Sequence, residues 1–166
     1  MAPASVIRVK PGADLANASA GATWADATNL QRALGLAVTG DEIWVASGVY
    51  YPDEGEGQTD DSRSAVFQVR NAIKLFGGFA GTETALAERD LAAAAPSVLS
   101  GDIEQDDLSG GDSITSATSS IRGENSPNIV LAVSAGAWTL DGFTITGGGD
   151  FRGTEGGVEN IRSRGR

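Results

Sequence analysis

The feature that most constrains this chain is a short alternating stretch that ends in glycine and occurs several times. In "LDGFTITGGG", residues 140–149, Phe143 and Ile145 alternate with threonines before a run of glycines. "AIKLFGGF" (72–79) and "SVLSGDI" (97–103) have nearly the same form. Alternation is typical of a half-buried strand, and glycine permits a tight corner. The sequence therefore predicts many short strands separated by corners.

The connections between these strands favour a parallel solenoid. They do not resemble the two-residue loops of antiparallel hairpins, and helices do not alternate with strands as in a doubly wound α/β sheet. In a solenoid, each coil places its strands on those of the previous coil, about 4.8 Å away. The predicted fold is therefore all-β, a parallel β-helix of a few coils. Its inward columns are expected to contain Ile73, Leu75, Val98, Ile129, Leu131, Val133, Phe143 and Ile145.

One segment, residues 24–42, has helical rather than strand spacing. Its apolar side chains share one helix face, at Leu30, Ala33, Leu34, Ala37 and Val38. We expect an α-helix over about 25–38, capped at its start by Asp26 or Thr28 and ended at Gly40. The first coil of a solenoid needs a cover, and this helix is well placed to supply it.

The chain divides into a β-helix domain with its helical cap, residues 1–149, and a Gly- and Arg-rich tail, residues 150–166. Nothing after Gly149 has the pattern of a second cap, so the last coil is expected to expose unpaired backbone groups. The tail carries cations on an otherwise acidic chain, at Arg162, Arg164 and Arg166. The tail can therefore clasp the acidic flank of a second copy, which predicts a homo-oligomer or a filament.

Missing residue types exclude several kinds of chemistry. The chain has no histidine and no cysteine, so Ser-His-Asp and Cys-His catalysis, disulfides and thiolate or imidazole metal sites are excluded. The formal net charge of −10 makes nucleic acid a poor partner. No apolar run approaches the roughly 20 residues that span a bilayer, and the first ten residues lack the apolar centre of an export signal.

Five ordered motifs resemble a known family. They are W-x-D-A and G-D-E-I-W-V-A-x-G-x-Y around the predicted helix, then G-G-F-x-G-T-E-T, L-S-G-D-I and L-D-G-F-T-I-T-G-G, and they cover about residues 5–149. This order is similar to the N-terminal region of bacterial surface proteins with a right-handed, pectin-lyase-like parallel β-helix. The resemblance implies a right-handed β-helix and an extracellular or cell-surface location. Family members usually continue for many more coils, which suggests a fragment or an abbreviated member.

Catalysis by this chain is not expected, although pectin-lyase-like folds include polysaccharide lyases and glycosidases. Such enzymes need carboxylates facing each other across a groove, or calcium with a nearby Arg or Lys. Asp102 and Glu104 could share a face, but no Arg or Lys lies near them in sequence. Asp141 stands in an L-D-G corner, where a carboxylate more often accepts backbone N–H groups.

The densest acidic cluster is the best candidate for a metal site. Its members are Asp102, Glu104, Asp106, Asp107 and Asp112. Oxygen ligands on a flexible loop suit Ca²⁺, although the spacing does not fit an EF-hand. A solvated loop without an ion is the alternative. "DEGEGQTDD", residues 53–61, is a weaker version of the same pattern.

Two tryptophans are candidates for stacking on sugar rings. Trp44 alternates with the apolar residues of its strand and so faces the opposite side, and Trp138 begins a strand. Packing in a core or under the cap is the alternative for both. Trp24, at the predicted helix start, is expected to be a packing anchor.

Three functions fit these observations. The first is a non-catalytic extracellular β-helix module with a structural or self-assembly role. The second is a carbohydrate-binding or adhesin module, with polysaccharide as the partner. The third is the N-terminal fragment of a larger polysaccharide-degrading enzyme. The pattern of residues favours the first.

Overall fold

The computed structural model describes residues 4–13, 20–134 and 136–149. Within these ranges the fold is predominantly β. Its elements in chain order are β1 (Val6–Val9), α1 (Leu30–Leu36), β2 (Glu42–Ala46), β3 (Gly48–Tyr50), β4 (Phe67–Val69), β5 (Lys74–Phe79), β6 (Ser97–Ser100), β7 (Val130–Ala132), β8 (Thr139–Asp141) and β9 (Phe143–Thr146). Single 3-10 turns at Leu86–Glu88 and Thr118–Ser120 complete the described elements.

The strands form three sheets, and every pairing seen in the described ranges is parallel. The strand orders are β1-β2-β5-β8, β3-β6-β9 and β4-β7. Strands that are neighbours in a sheet are far apart in the chain: Ile43 pairs with Leu75, and Leu75 pairs with Leu140. The predicted short strands are therefore confirmed, together with their parallel pairing.

One side of these strands builds the main core. Ile7, Ile43 and Leu75 lie opposite one another in register on successive strands, and Leu140 continues the column. All four contribute to a single apolar cluster, the last as a partly buried neighbour. Val98 and Phe143 were expected to face this core as well. Phe143 packs against the cluster, but Val98 is buried outside it, because its strand neighbour Leu99 faces the cluster instead.

A second apolar cluster lies on the opposite side of β2 and β5. Trp44 stacks on Phe79 with ring centroids 4.8 Å apart and planes 12° apart. Phe76 completes the buried set, and Trp24 and Leu86 pack against it from the connecting segments. Because both faces of this sheet are covered by apolar groups, β2 is buried on both sides.

The helix is shorter than predicted. Residues 25 and 26 lie in a turn instead, and Thr28 pairs with Val9 in a parallel bridge. Asn29 is the actual N-cap: its side chain accepts a hydrogen bond of 2.8 Å from the backbone N–H of Arg32. The helix stops at Ala37, whose backbone is extended, and Gly40 plays no capping part.

The helix packs on β1, β2 and β4, at one end of the sheets. Leu30, Ala33 and Leu34 are its buried residues, whereas Val38 is 59 % exposed because the helix has already ended. Among the described residues, no helix has the length and apolar character needed to cross a membrane.

Three of the expected inward residues are exposed. Leu131 pairs with Gln68 on the outward side of β4, so the alternation in this strand is shifted by one residue from the prediction, and Val133 is exposed beyond its end. Ile145 is in register with buried Leu99 but is itself 50 % exposed. Its strand β9 is the last of its sheet, so no further described strand covers the side chain.

Candidate functional site

The acidic loop that follows β6, residues 102–112, folds around the carboxylate of Asp102. This side chain is buried, and its two oxygens accept hydrogen bonds of 3.1 Å from the backbone N–H groups of Asp106 and Asp107. Burial raises the pKa of Asp102 more than these hydrogen bonds lower it, and the charges of Asp107 and Asp106 raise it further. No ion pair seen among the described residues includes a carboxylate of this loop, which therefore concentrates negative charge.

Asp107 ties this loop to the segment that returns to the sheets. Its Oδ1 accepts the backbone N–H of Arg122 at 2.6 Å. Its Oδ2 accepts the Thr115 hydroxyl at 3.0 Å and the Asn125 amide at 3.1 Å. Part of the acidic pattern in the sequence is therefore explained by loop folding alone.

Three of the five predicted metal ligands come together. Asp102, Asp106 and Asp107 each place a carboxylate oxygen within 4.8 Å of the others, and this group could hold a metal ion. Glu104 and Asp112 do not belong to it. Glu104 accepts the backbone N–H of Glu124, and Asp112 accepts a backbone N–H within its own turn.

A second acidic group lies in the loop after β3. Asp53, Asp60 and Asp61 also bring carboxylate oxygens within 4.8 Å of one another. Asp53 is only 4 % exposed, and its Oδ2 accepts the backbone N–H of Asp61 at 3.0 Å. Its Oδ1 is buried and has no hydrogen-bond partner among the described residues. The sequence marked this stretch only as a weak copy of the first.

The two loops lie side by side. The Gln105 side chain donates a hydrogen bond of 3.0 Å to Glu54, which joins the loop at 102–112 to the loop at 53–61. Burial raises the pKa of Tyr51, and the charges of Asp102, Glu54 and Asp53 raise it further. Tyr51 therefore stands near both acidic groups, and together they form one strongly acidic face.

A groove of about 740 Å³ opens beside the second loop. It is lined by backbone and side chains of the segment after β1, the start of α1 and the loop after β3, including Lys10, Asn29, Tyr51, Asp53 and Asp60. The Asn29 amide nitrogen is buried and has no acceptor among the described residues, while its amide oxygen caps the helix. The groove thus combines polar groups with an apolar wall.

The tryptophans occupy different environments. Trp44 is 4 % exposed inside the second apolar cluster, and its indole N–H donates to Glu42. A buried ring cannot stack on a sugar, so Trp44 is excluded as a carbohydrate contact. Trp138 is 38 % exposed and stays a candidate. Trp24 packs on Phe79, as an anchor would, and donates to the Glu83 carbonyl at 2.8 Å.

The last strands of the three sheets form an exposed end. In the part of the chain that the structure describes, β7, β8 and β9 each stand at the edge of a sheet. Large apolar side chains are exposed on or beside them: Leu131, Val133, Trp138 and Ile145. We use "exposed end" for these three strands with these four side chains. At the opposite end, α1 packs on β1, β2 and β4.

Arg89 is a residue that the sequence did not single out. Its guanidinium pairs with Asp141 at 2.5 Å and donates to the Gly77 carbonyl at 3.0 Å, while it lies over the Phe76 ring. Asp141 was expected to accept backbone N–H groups, but it binds this arginine instead. No local pattern in the sequence indicates this contact, because 52 residues separate the two partners.

The predicted assembly residues Arg162, Arg164 and Arg166 lie outside the described residues. Comparisons with protein-family models, with curated proteins and with solved structures found no match to this chain.

Proposed function

We propose that this chain is a non-catalytic structural module that associates with a second copy of itself through the exposed end. In this proposal the three sheets are the faces of a right-handed parallel β-helix of a few coils, and α1 is its N-terminal cap. The parallel strand orders support the coils, and the packing of α1 on β1, β2 and β4 supports the cap. The sequence resemblance to bacterial surface proteins supports an extracellular or cell-surface location.

The exposed end carries the proposal. Leu99 is 1 % exposed because strands lie on both sides of it, whereas Ile145, one strand further in the same column, is 50 % exposed. Unpaired strand edges with apolar side chains are ready templates for another chain. A second copy placed on β7, β8 and β9 would bury these side chains and pair their backbone groups.

Two substitutions at opposite ends of the sheets test the assembly. Ile145→Asp places a charge at the exposed end, and Val38→Asp places the same charge at a similarly exposed position beyond α1. We expect the wild-type mass in light scattering to increase with concentration, Ile145→Asp to remain a monomer, and Val38→Asp to behave as wild type. Circular dichroism checks that all three are folded.

Deletion of residues 150–166 distinguishes the contribution of the tail to association from that of the strands. If the tail clasps a neighbouring acidic flank, the deletion weakens association and removes its dependence on salt. If the full-length protein and the protein without residues 150–166 both stay monomeric at high concentration, the proposed assembly is contradicted. A glycan array on the same preparation, with Trp138→Ala as the comparison, tests the alternative of carbohydrate binding.

We also propose that the group of Asp102, Asp106 and Asp107 binds Ca²⁺ weakly. The support is three convergent carboxylates, oxygen ligands of the type that Ca²⁺ prefers. Melting curves in millimolar Ca²⁺ and in chelator should differ by a few degrees. Asp106→Asn should reduce this difference, since Asp106 is exposed and the substitution removes one of the three carboxylates while it keeps the backbone N–H that binds Asp102. An unchanged response in the variant would contradict this assignment.

A further inference from the structure

Asp53 has a buried carboxylate whose hydrogen bonding is incomplete among the described residues. The residue follows β3 directly after Pro52, which is fully buried and holds the backbone in the core. Its Oδ2 has a donor in the backbone N–H of Asp61, but its Oδ1 is buried with no donor among the described residues. A buried carboxylate oxygen without a partner is destabilising by the full loss of its hydration.

The neighbouring charges make this burial more unfavourable. Asp60 and Asp61 place carboxylate oxygens within 4.8 Å of the Asp53 carboxylate. None of the four ion pairs seen among the described residues includes any of these three side chains. After burial, which is the largest cause, the charges of Asp60 and Asp61 raise the pKa of Asp53. Three carboxylates thus converge, and no ion pair among the described residues neutralises them.

We infer that Asp53, Asp60 and Asp61 form a binding site for a hard divalent cation, distinct from the group at Asp102. Oxygens that bind one Ca²⁺ at 2.3–2.6 Å can be separated by up to about 5 Å, and the three carboxylates meet this limit. The cation gives the buried Oδ1 of Asp53 the partner that it lacks. It also compensates the repulsion between the three charges.

The groove beside the loop provides access to this site. Asp53 and Asp60 both line it, and its volume of about 740 Å³ admits a cation together with bound water. Gln58 also lines this groove. A cation can therefore reach the buried Asp53 without opening of the core.

The site is tested by removing its two exposed ligands and keeping the buried one. Asp60→Asn with Asp61→Asn removes two carboxylates. Asn is suited to position 61, whose backbone has a φ of +57°, a conformation that Asn and Asp tolerate better than most residues. The matched control is Asp90→Asn with Asp112→Asn, which removes the same charge from two exposed turns outside both acidic groups. Asp106→Asn, which removes a carboxylate from the Asp102 group, shows how much of the binding belongs to that group.

Calorimetric titration of each full-length protein with CaCl₂, and separately with MgCl₂, measures binding. We expect the Asp60→Asn/Asp61→Asn protein to lose one site, or to bind at it at least about tenfold more weakly, since two of three charged ligands are gone. The control pair and Asp106→Asn should keep this site. Melting curves should show the same loss of cation-dependent stabilisation.

Three results would overturn the inference. One is a wild-type protein to which neither Ca²⁺ nor Mg²⁺ binds at millimolar concentration. Another is a cation site whose affinity is equal in wild type and in the Asp60→Asn/Asp61→Asn protein. Loss of binding in Asp106→Asn alone would assign all binding to the Asp102 group and would also overturn it. None of these results depends on whether the chain self-associates.

Discussion

At the scale of single residues, glycine marks the places where two backbones nearly touch. A Cβ on Gly77 would lie 2.4 Å from the Gly142 carbonyl oxygen, and one on Gly101 would lie 2.5 Å from the Gly147 carbonyl oxygen. Gly77 lies in β5 and Gly142 follows its neighbour β8, while Gly101 follows β6 and Gly147 follows its neighbour β9. The recurring glycine that ends each sequence motif is therefore required by close approach between neighbouring segments.

Gly101→Ala tests this requirement. The new methyl group would also meet the Ser126 carbonyl oxygen at 3.0 Å, so backbone rather than a flexible side chain must move. We expect the free energy of unfolding in a denaturant titration to fall by about 1–3 kcal/mol. Gly111→Ala is the control, because its Cβ would meet nothing within 4 Å, and it should change stability by less than about 0.5 kcal/mol. Equal stability of the two variants would contradict the packing argument.

Glu83 shows how one carboxylate organises a turn. Its oxygens accept backbone N–H groups of Ala80, Gly81 and Thr82 at 2.7–2.9 Å. Burial raises the pKa of Glu83, but these hydrogen bonds together outweigh burial and lower it. Because the folded pKa is below the unfolded one, the stabilisation is present above the unfolded pKa of about 4.3 and is lost as the pH falls through the folded value.

Glu83→Gln should therefore destabilise the protein in a pH-dependent way. The amide group cannot accept all three N–H donors, so we expect a loss of about 1 kcal/mol near neutral pH. Denaturant titrations at several pH values should show the gap between wild type and variant closing below about pH 4. Glu56→Gln, at an exposed carboxylate, removes the same charge and should show a smaller gap. A gap that is constant with pH would contradict the role of the charge.

At the scale of elements, local patterns predict strands better than they predict the helix boundaries. β2, β3, β5 and β6 lie where alternation and a terminal glycine occur together, because both features are properties of the strand itself. The start of α1 could not be predicted, since Thr28 is held in an extended conformation by Val9, a partner distant in sequence. The shifted face of β7 has the same cause: register with β4, not periodicity, decides which side chains face the core.

The candidate site, like the elements, was predictable from the sequence only in part. Density of acidic residues identified the loop at 102–112, but only the fold separates the three convergent carboxylates from Glu104 and Asp112, which bind backbone N–H groups. The loop at 53–61 has five acidic residues among nine, but nothing in its local pattern shows which carboxylate is buried. Its buried member, Asp53, is recognisable only once β3 and Pro52 place it in the interior.

Strand β2 carries a prediction about which tryptophan supports the fold. Trp44 projects from the sheet into the second apolar cluster and stacks on Phe79. Trp44→Ala should lower the free energy of unfolding by about 3–5 kcal/mol, because a large buried ring leaves a cavity. Trp138→Ala, at the exposed end, should cost less than about 1 kcal/mol in dilute protein. If thermal melts show that Trp44→Ala and Trp138→Ala lose similar stability, the second apolar cluster contributes less to stability than its burial implies.

At the scale of the whole described molecule, the two ends of the sheets differ. Apolar side chains of α1 cover β1, β2 and β4, whereas apolar side chains at β7, β8 and β9 stay exposed. The central strands β2, β5 and β6 have a paired neighbour on both sides. A strand with only one paired neighbour has fewer contacts to lose, so we expect such strands to open most easily.

Hydrogen exchange should therefore be slower in the central strands of the sheets than in the last strands. Amides of β5 should exchange only by global unfolding, while those of β8 and β9 should exchange through local opening that is easier by about 2 kcal/mol or more. Mass spectrometry of peptides covering 74–79 and 139–146 measures the difference. Raising the protein concentration should slow exchange in 139–146 and leave 74–79 unchanged if copies associate through the exposed end. Equal protection of both peptides at low concentration would contradict the expected difference between strands. Protection in 139–146 that does not change with protein concentration would contradict the association.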